Sequence, residues 1–325
     1  MSPISKSNDI AWFRYAEKHR LLNQHLETKG EEKMKLTDVW KSRSKPTISF
    51  ELFPARTEKA AANLEKAIDK LATLKPDFVS VTFGAGGSTR EGSRQLIKKL
   101  KEEKGLEVIA YFAGFGLAPN EITAVIDDYQ PLGVENILVV RGDEPRDKDF
   151  TPHPESFAYA SDLMGYIRPR YDLCLGVAGY PESHIDAASQ AKDMEYLKLK
   201  IERGAEYIIC NYFYDNHYFF DYVERCRAAG ITIPIIPGVM PIYSIKMMRM
   251  LAGMCGATIT EAIETEIATL PEDDKEALND FGIDFAAQQC AELIRAGVPG
   301  LHIYTMDRSK STLGLVNRLR EEGLL

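Results

Sequence analysis

The sequence predicts a (β/α)8 barrel of the TIM type with an N-terminal helical extension. Eight apolar, β-branched-rich runs recur at roughly thirty-residue intervals, and nearly every interval holds a charged stretch of helical period. Runs that stay apolar, without alternating, suit strands covered on both faces, as in an all-parallel sheet wrapped by helices. At 325 residues and 45% apolar composition, the chain can bury one barrel of about 250 residues plus an extension. In such a barrel the C-terminal strand ends surround the active site, so the residues ending each run are the first suspects for chemistry.

Residues 1–46 stand outside the alternation. Ile10 to Glu27 carries Ile10, Phe13, Leu21 and Leu22 near one side, with Asn8 or Asp9 available as a cap. A helix over the barrel bottom or at a subunit contact follows; a basic membrane-binding helix is disfavoured because acids and His dilute the charge. Lys41 to Pro46 reads as a linker, Pro46 biasing the chain toward extended structure before the barrel at 47–325.

The first run, Ile48 to Phe53, places Glu51 between Phe50 and Leu52. Leu64, Ile68 and Leu71 then recur at helical spacing in Thr57 to Lys75, which Pro76 closes. The second run, Phe78 to Phe83, passes into Gly84-Ala85-Gly86-Gly87-Ser88, whose small residues expose N–H groups to a phosphate or an aromatic ring. A helix is expected over Arg90 to Lys104. The third run is Val108 to Phe112. After it, Gly114-Phe115-Gly116 begins like a dinucleotide fingerprint, but Pro119 stands where the third Gly belongs, at the start of a helix to Tyr129.

The fourth run, Ile137 to Val140, ends in Arg141-Gly142-Asp143, where Gly permits close backbone approach to a ligand; a helix is expected over Ser156 to Arg168. The fifth, Leu173 to Ala178, leads to Gly179-Tyr180-Pro181-Glu182-Ser183-His184, an aromatic ring and an imidazole at the mouth. On the helix Ser189 to Arg203, Asp193 and Lys200 lie about two turns apart on one face, and address either solvent or one extended ligand. The sixth run, Tyr207 to Tyr214, holds Asn211 beside aromatics, an amide able to read a flat heterocycle's edge, with a helix following over Tyr218 to Ala229. Between the seventh run, Ile233 to Val239, and the eighth, Leu301 to Tyr304, the interval is about twice as long. Extra helices over Thr258 to Ala277 and a closing helix over Phe285 to Ala296 are expected there; His302, Tyr304 and Arg308 lie in or after the eighth run.

A net charge of −8 with interspersed bases argues against nucleic acid or an anionic membrane as partner. Five scattered cysteines without a CxxC pair indicate neither a disulfide framework nor a zinc site, and a reducing cytoplasm is the simplest location. No run suits a secretory or membrane-spanning segment. None of the six histidines has metal-ligand spacing, so no metal is expected, and no GxSxG elbow occurs.

Glu51 is the outstanding residue. An unpaired carboxylate in an apolar strand is costly, so it must be paired, near solvent or protonated, and a raised pKa suits a general acid. A structural ion pair inside the barrel is the bland alternative.

With these residues quoted, the chain resembles the methylenetetrahydrofolate reductases over about Thr47 to Leu319. The likeness rests on Phe50-Glu51-Leu52-Phe53-Pro54-Ala55-Arg56-Thr57, Ser80-Val81-Thr82-Phe83-Gly84-Ala85, Arg141-Gly142-Asp143, Tyr159-Ala160-Ser161-Asp162-Leu163, Ala178 to His184, Asn211-Tyr212-Phe213-Tyr214-Asp215, Pro237-Gly238-Val239-Met240-Pro241 and His302 to Arg308. Eight motifs in order, most of them at strand ends, are far more specific than any one.

The resemblance implies an FAD enzyme: NAD(P)H reduces the flavin, which delivers hydride to 5,10-methylenetetrahydrofolate and yields 5-methyltetrahydrofolate, in the one-carbon chemistry that feeds methionine. It implies that Glu51 is the general acid opening the imidazolidine ring and that Asp143 tunes flavin and folate. It further implies FAD contacts at Thr82, Phe83, Ala85, Tyr111, Arg141, Gly142, Asp143, Tyr159, Ala160, Tyr180, His184, Ala187, Asp193 and Lys200. Folate or nicotinamide would meet Glu51, Asp143, Asn211, Tyr304 and Arg308. A homo-oligomer is expected, without the regulatory domain that animal members append.

Several residues depart from the family pattern: Tyr111 replaces a flavin-side His, Ala113-Gly114 a more polar pair, and Asn211 a Gln. Tyr196 and Leu199 stand for Asn and Arg, and Ile245 for an aromatic. These departures bear on cofactor and donor, so the alternative is a relative fed by ferredoxin or an electron-donating partner protein, or acting on another reduced pterin. A glycosidase using Glu51 and Asp143, a Schiff-base aldolase at Lys200 and a flavin-free binding subunit suit the fold but leave the ordered motifs unexplained.

Overall fold

Eight strands pair in parallel, each with the next in sequence, and β8 closes back on β1. They are β1 (Thr47–Leu52), β2 (Phe78–Val81), β3 (Val108–Ala113), β4 (Asn136–Val140), β5 (Cys174–Gly179), β6 (Tyr207–Tyr212), β7 (Ile235–Val239) and β8 (Gly300–Tyr304). The expected (β/α)8 barrel is thus present in this computed structural model, which describes residues 34–83, 87–144, 150–271 and 274–325. The helix expected over residues 10–27 and the flavin contact at Ala85 lie outside the described residues. Residues Lys35–Leu325 cluster as one unit.

Strand alternation explains how an acid fits into β1. Ile48, Phe50 and Leu52 face outward and pack with Leu64, Ile68 and Leu71 of α2 (Glu58–Ala72). Ser49 and Glu51, at the intervening positions, therefore face the barrel axis. The same alternation sends Phe78, Ile109, Leu138, Cys174, Tyr207, Ile209 and Ile236 inward, where they form a separate apolar cluster with Leu36 and Trp40.

Leu36 and Trp40 belong to α1 (Leu36–Ser42), which takes in Lys41 and Ser42 of the segment read as a linker. Its seven residues are too few to show a period in the sequence, and its role is tertiary. The backbone N–H of Leu36 donates to Asn136 Oδ1 at 3.0 Å, and the Trp40 indole N–H donates to Thr47 Oγ1 at 2.9 Å. The Trp40 ring lies against Phe78 and Tyr207, with centroids 5.9 and 5.3 Å apart, and plugs the floor. Full burial of Leu36 alone is worth roughly 1.5–3 kcal/mol.

The outer helices follow in order: α3 (Gly87–Lys98) with a π-helical turn at Lys99–Glu103, α4 (Pro119–Tyr129), α5 (Ala160–Ile167), α6 (Gln190–Glu202) and α7 (Asn216–Ala228). The long interval before β8 holds α8 (Ile245–Cys255), α9 (Glu261–Thr269) and α10 (Lys275–Arg295), and α11 (Ser309–Glu321) ends the barrel. α10 begins well before the expected Phe285 because the Asp274 carboxylate accepts the N–H groups of Glu276 and Ala277 and caps an earlier turn. α5 begins at Ala160 rather than Ser156. No described helix is long and apolar enough to cross a membrane.

Candidate active site

At the axis, above the apolar floor, the inward residues become polar. His302 is fully buried; its Nδ1 lies 2.8 Å from Ser49 Oγ, and its Nε2 lies 3.3 Å from both Ser80 Oγ and the Tyr111 hydroxyl. Burial pushes the imidazole down to about 3, so it is neutral at ordinary pH and serves as a hydrogen-bonded support. Four strands, β1, β2, β3 and β8, contribute to this one cluster.

Glu51 sits over it with only 5% of its surface exposed. Removal from water pushes its carboxyl up to about 8; a hydrogen bond from the Tyr111 hydroxyl opposes the rise, and the negative charge of Asp307 adds to it. A carboxyl that keeps its proton at neutral pH while standing at a barrel strand end is able to give that proton to a ligand. No ion pair to Glu51 occurs among the described residues, so the bland reading of a structural salt bridge does not describe it.

Tyr304 closes the axis on the other side. Its hydroxyl donates to the carbonyl of Cys210 at 3.0 Å, crossing from β8 to β6 over Gly238. A Cβ at Gly238 would stand 2.1 Å from that carbonyl oxygen and 2.5 Å from the Tyr304 ring, so only glycine leaves the path open. Tyr304 therefore offers ring edge and face, not a free hydroxyl. Arg308 lies with its guanidinium 5.8 Å from the Tyr243 ring centre, and the Tyr243 hydroxyl donates to the Tyr304 carbonyl at 3.0 Å.

The ends of β2 to β5 make the second half of the mouth. Thr82 follows β2, its N–H on the Leu52 carbonyl at 3.1 Å, and the Phe83 ring packs 5.2 Å from Phe112. Arg141 and Asp143 are exposed after β4; the Arg141 Nε donates to the Gly142 carbonyl at 3.2 Å. Gly142 has φ +88, and a Cβ there would meet that of Ala113 at 2.8 Å, so this turn requires glycine. Burial and the charges of Asp193 and Asp143 push Tyr180 up to about 12, with Arg141 acting the other way, which places it where the β4 and β5 loops converge.

The loop after β5 is held from α6. Asp193 Oδ2 accepts the His184 N–H at 3.3 Å, Ala187 donates to the His184 carbonyl at 2.9 Å, and the His184 ring stands edge-on to Tyr180 at 4.6 Å. Lys200 is turned inward onto the Ala178 carbonyl at 3.2 Å, and burial lowers its ammonium to about 8. Asp193 and Lys200 thus share the face that packs on β5 and its loop. Tyr159, 62% exposed, caps α5, and Ala160 is that helix's first residue. Tyr196 is exposed and Leu199 half-buried on α6.

Asn211 lies in a small cavity with Tyr180, Pro181, Glu182, Ser183, Tyr212, Cys255 and Ala257; its Oδ1 accepts the Tyr212 N–H at 3.1 Å, and Cys255 Sγ lies 2.9 Å from the Tyr212 hydroxyl. Tyr111, expected beside flavin, directs its hydroxyl at Glu51 and His302. Sequence reasoning left Thr305 and Asp307 without a role, although both were within a quoted motif; their contacts depend on β8 reaching β1. Among the described residues, no cluster of three or more His, Cys, Asp or Glu could hold a metal ion.

The family model for methylenetetrahydrofolate reductase matches residues 35–320, nearly all of the described barrel. The chain belongs to the methylenetetrahydrofolate reductase family. It is 34% identical over 272 residues to 5,10-methylenetetrahydrofolate reductase of Escherichia coli, covering 84% of this chain and 90% of that one. It is 33% identical over 301 residues to methylenetetrahydrofolate reductase (NADH) 1 of Arabidopsis thaliana, covering 88% of this chain and 51% of the plant protein. Methylenetetrahydrofolate reductase 1 of Schizosaccharomyces pombe is 34% identical over 294 residues, with 48% of it covered. The chain therefore spans about half the length of the plant and yeast members of its family. Among solved structures, an uncharacterised protein from Clostridium thermocellum that binds two copies of 5-methyl-5,6,7,8-tetrahydrofolic acid has the same fold, with TM-score 0.56 at 15% identity, covering 88% of this chain and 98% of that one.

Proposed function

We propose that this chain is a cytoplasmic, FAD-dependent reductase that converts 5,10-methylenetetrahydrofolate to 5-methyltetrahydrofolate with NAD(P)H as electron donor. The observation that carries the reading is Glu51: a buried carboxyl, pushed up to about 8, at the mouth of a reductase-family barrel. Opening the five-membered ring of the folate needs a proton at the departing nitrogen and a hydride at the methylene carbon. Glu51 is placed to supply the proton, and a flavin held at the mouth would supply the chemistry of hydride transfer from the nicotinamide.

The residues after β2 to β5 suit such a cofactor. Glycine at 142 lets the β4 turn hug Ala113 without a side chain in the mouth, while Arg141 offers an exposed cation and Tyr180 and His184 offer ring surfaces. Thr82, Phe83, Tyr159, Ala160 and Ala187 complete that half, with Asp193 and Lys200 fixing the loop backbone from behind. Asp143, exposed and with its charge felt at Tyr180, would offer a flavin and a folate bound at this mouth a negative charge, opposing added electron density on the one and favouring a cation on the other. Asn211, Tyr304 and Arg308 line the remaining rim for folate and nicotinamide in turn. Five unpaired cysteines accord with a reducing compartment.

The test is an absorption spectrum of the purified protein followed by anaerobic addition of NADH, then of 5,10-methylenetetrahydrofolate. A flavin band that bleaches with NADH and returns with the folate is expected. Absence of flavin binding after incubation with FAD overturns the reading; bleaching by reduced ferredoxin but not by NADH or NADPH assigns the donor to a partner protein.

A further inference from the structure

β8 ends in a turn that grips β1 at the residue where Glu51 is carried. The Thr305 hydroxyl, fully buried, donates to the Glu51 carbonyl at 2.7 Å and accepts the Asp307 N–H at 3.1 Å. One Asp307 carboxylate oxygen then accepts the Phe53 N–H at 3.2 Å, two residues beyond Glu51. The Arg308 N–H closes the turn on the Thr305 carbonyl at 2.8 Å. Met306 and Asp307 both lie in the left-handed region, with φ +49 and +56, a conformation costly for Met and kept only where surrounding contacts enforce it. The strained turn thereby fixes the Asp307 carboxylate on the β1 backbone two residues beyond Glu51, with no ion pair to Asp307 among the described residues.

We propose that Asp307 is a positioning residue for the acid: it ties down the outgoing end of β1 and fixes a negative charge in the turn that grips the Glu51 backbone. The inference rests on Glu51 being the acid of the reaction proposed above. Other groups facing the pair are the Tyr111 hydroxyl from β3, Tyr304 from β8, and Tyr243 and Arg308 at the rim. Of these only Arg308 is cationic, and its guanidinium lies over the Tyr243 ring, not on either carboxyl. Asp307 is itself pushed up to about 6 by burial, with the Phe53 N–H drawing it back. It is therefore charged at neutral pH while Glu51 is not, and its charge adds to the rise that burial imposes on Glu51.

Asp307→Asn keeps an oxygen for the Phe53 N–H and removes the charge; Asp307→Ser does the same with a shorter acceptor. Infrared titration of the whole protein, following the protonated-carboxyl stretch that disappears in Glu51→Gln, reads Glu51 directly and needs no turnover. In both neutral variants the midpoint is expected to fall by roughly half to one pH unit, the scale of a partly screened like charge. The alkaline limb of folate reduction should move down by the same amount, with flavin reduction by its donor unchanged. An unmoved infrared midpoint in a variant whose circular dichroism matches the parent overturns the role of Asp307. A shifted midpoint in a protein that never reduces the folate instead overturns the proposed reaction and leaves the coupling between the carboxyls standing.

Discussion

The first and fourth strands each bring a carboxyl to the mouth, and the two are placed in opposite surroundings. Glu51 lies on the strand itself, facing the axis, cut off from water and pushed up to about 8. Asp143 lies beyond the end of β4, past a left-handed glycine, exposed to solvent. One carboxyl thereby keeps its proton at neutral pH, while the other stands in solvent. The difference comes from a shift of a few residues relative to the strand end, since an inward position on a strand buries a side chain and a loop position beyond it does not. In the function proposed above, two acids of nearly the same chemistry take separate tasks through depth alone.

Glu51→Gln is expected to have the largest effect. Folate reduction should fall by about 10²- to 10⁴-fold, the usual worth of a positioned general acid, while rapid-mixing kinetics of flavin reduction by the donor remain close to the parent's. Equal loss in both half-reactions would erase the distinction between the two carboxyls. Asp143→Asn should cost about tenfold, one interaction of about 1.4 kcal/mol, and should touch both half-reactions because a charge between flavin and folate acts on each.

Smaller changes sharpen the contrast. Tyr111→Phe removes the donor that stabilises the ionised form of Glu51, so the alkaline limb of folate reduction should move upward, by about one pH unit. The last effect is on stability rather than rate, and its sign follows from proton binding. Glu51 holds its proton more tightly folded than unfolded, so its burial is harmless below pH 4.5, and stability falls as pH rises from 4.5 toward 8. The loss is at most about 1.4 kcal/mol per pH unit. The Tm of Glu51→Gln relative to the parent should therefore rise by a few degrees between pH 5 and pH 8, measured by calorimetry.

The barrel was legible because parallel strands covered on both faces read as apolar runs, and Glu51 stood out because a charge there breaks one. What the sequence hid was anything made by chain ends meeting. Trp40 fell between the helix and the linker read in residues 1–46; it is the floor because Phe78 and Tyr207 converge on it from β2 and β6. That Tyr111 reaches His302 at the axis was likewise hidden, since the contact needs β3 and β8 on one closed barrel. The α10 start depended on a single cap at Asp274, and Asp307 acquires meaning only when β8 lies beside β1.

That last pairing also orders events during synthesis. Ser49 and His302, in hydrogen-bond contact, are separated by 253 positions in the chain, and Thr305 and Asp307 reach Glu51 and Phe53 across 254. A nascent chain therefore carries β1 as an unfinished edge, with an ordinary solvated glutamate, until β8 has left the ribosome. The acid is made by closure. A truncated or slowly elongated product would hold most of the barrel's secondary structure and yet present no proton at neutral pH, so competence for chemistry arrives in one step with the final strand.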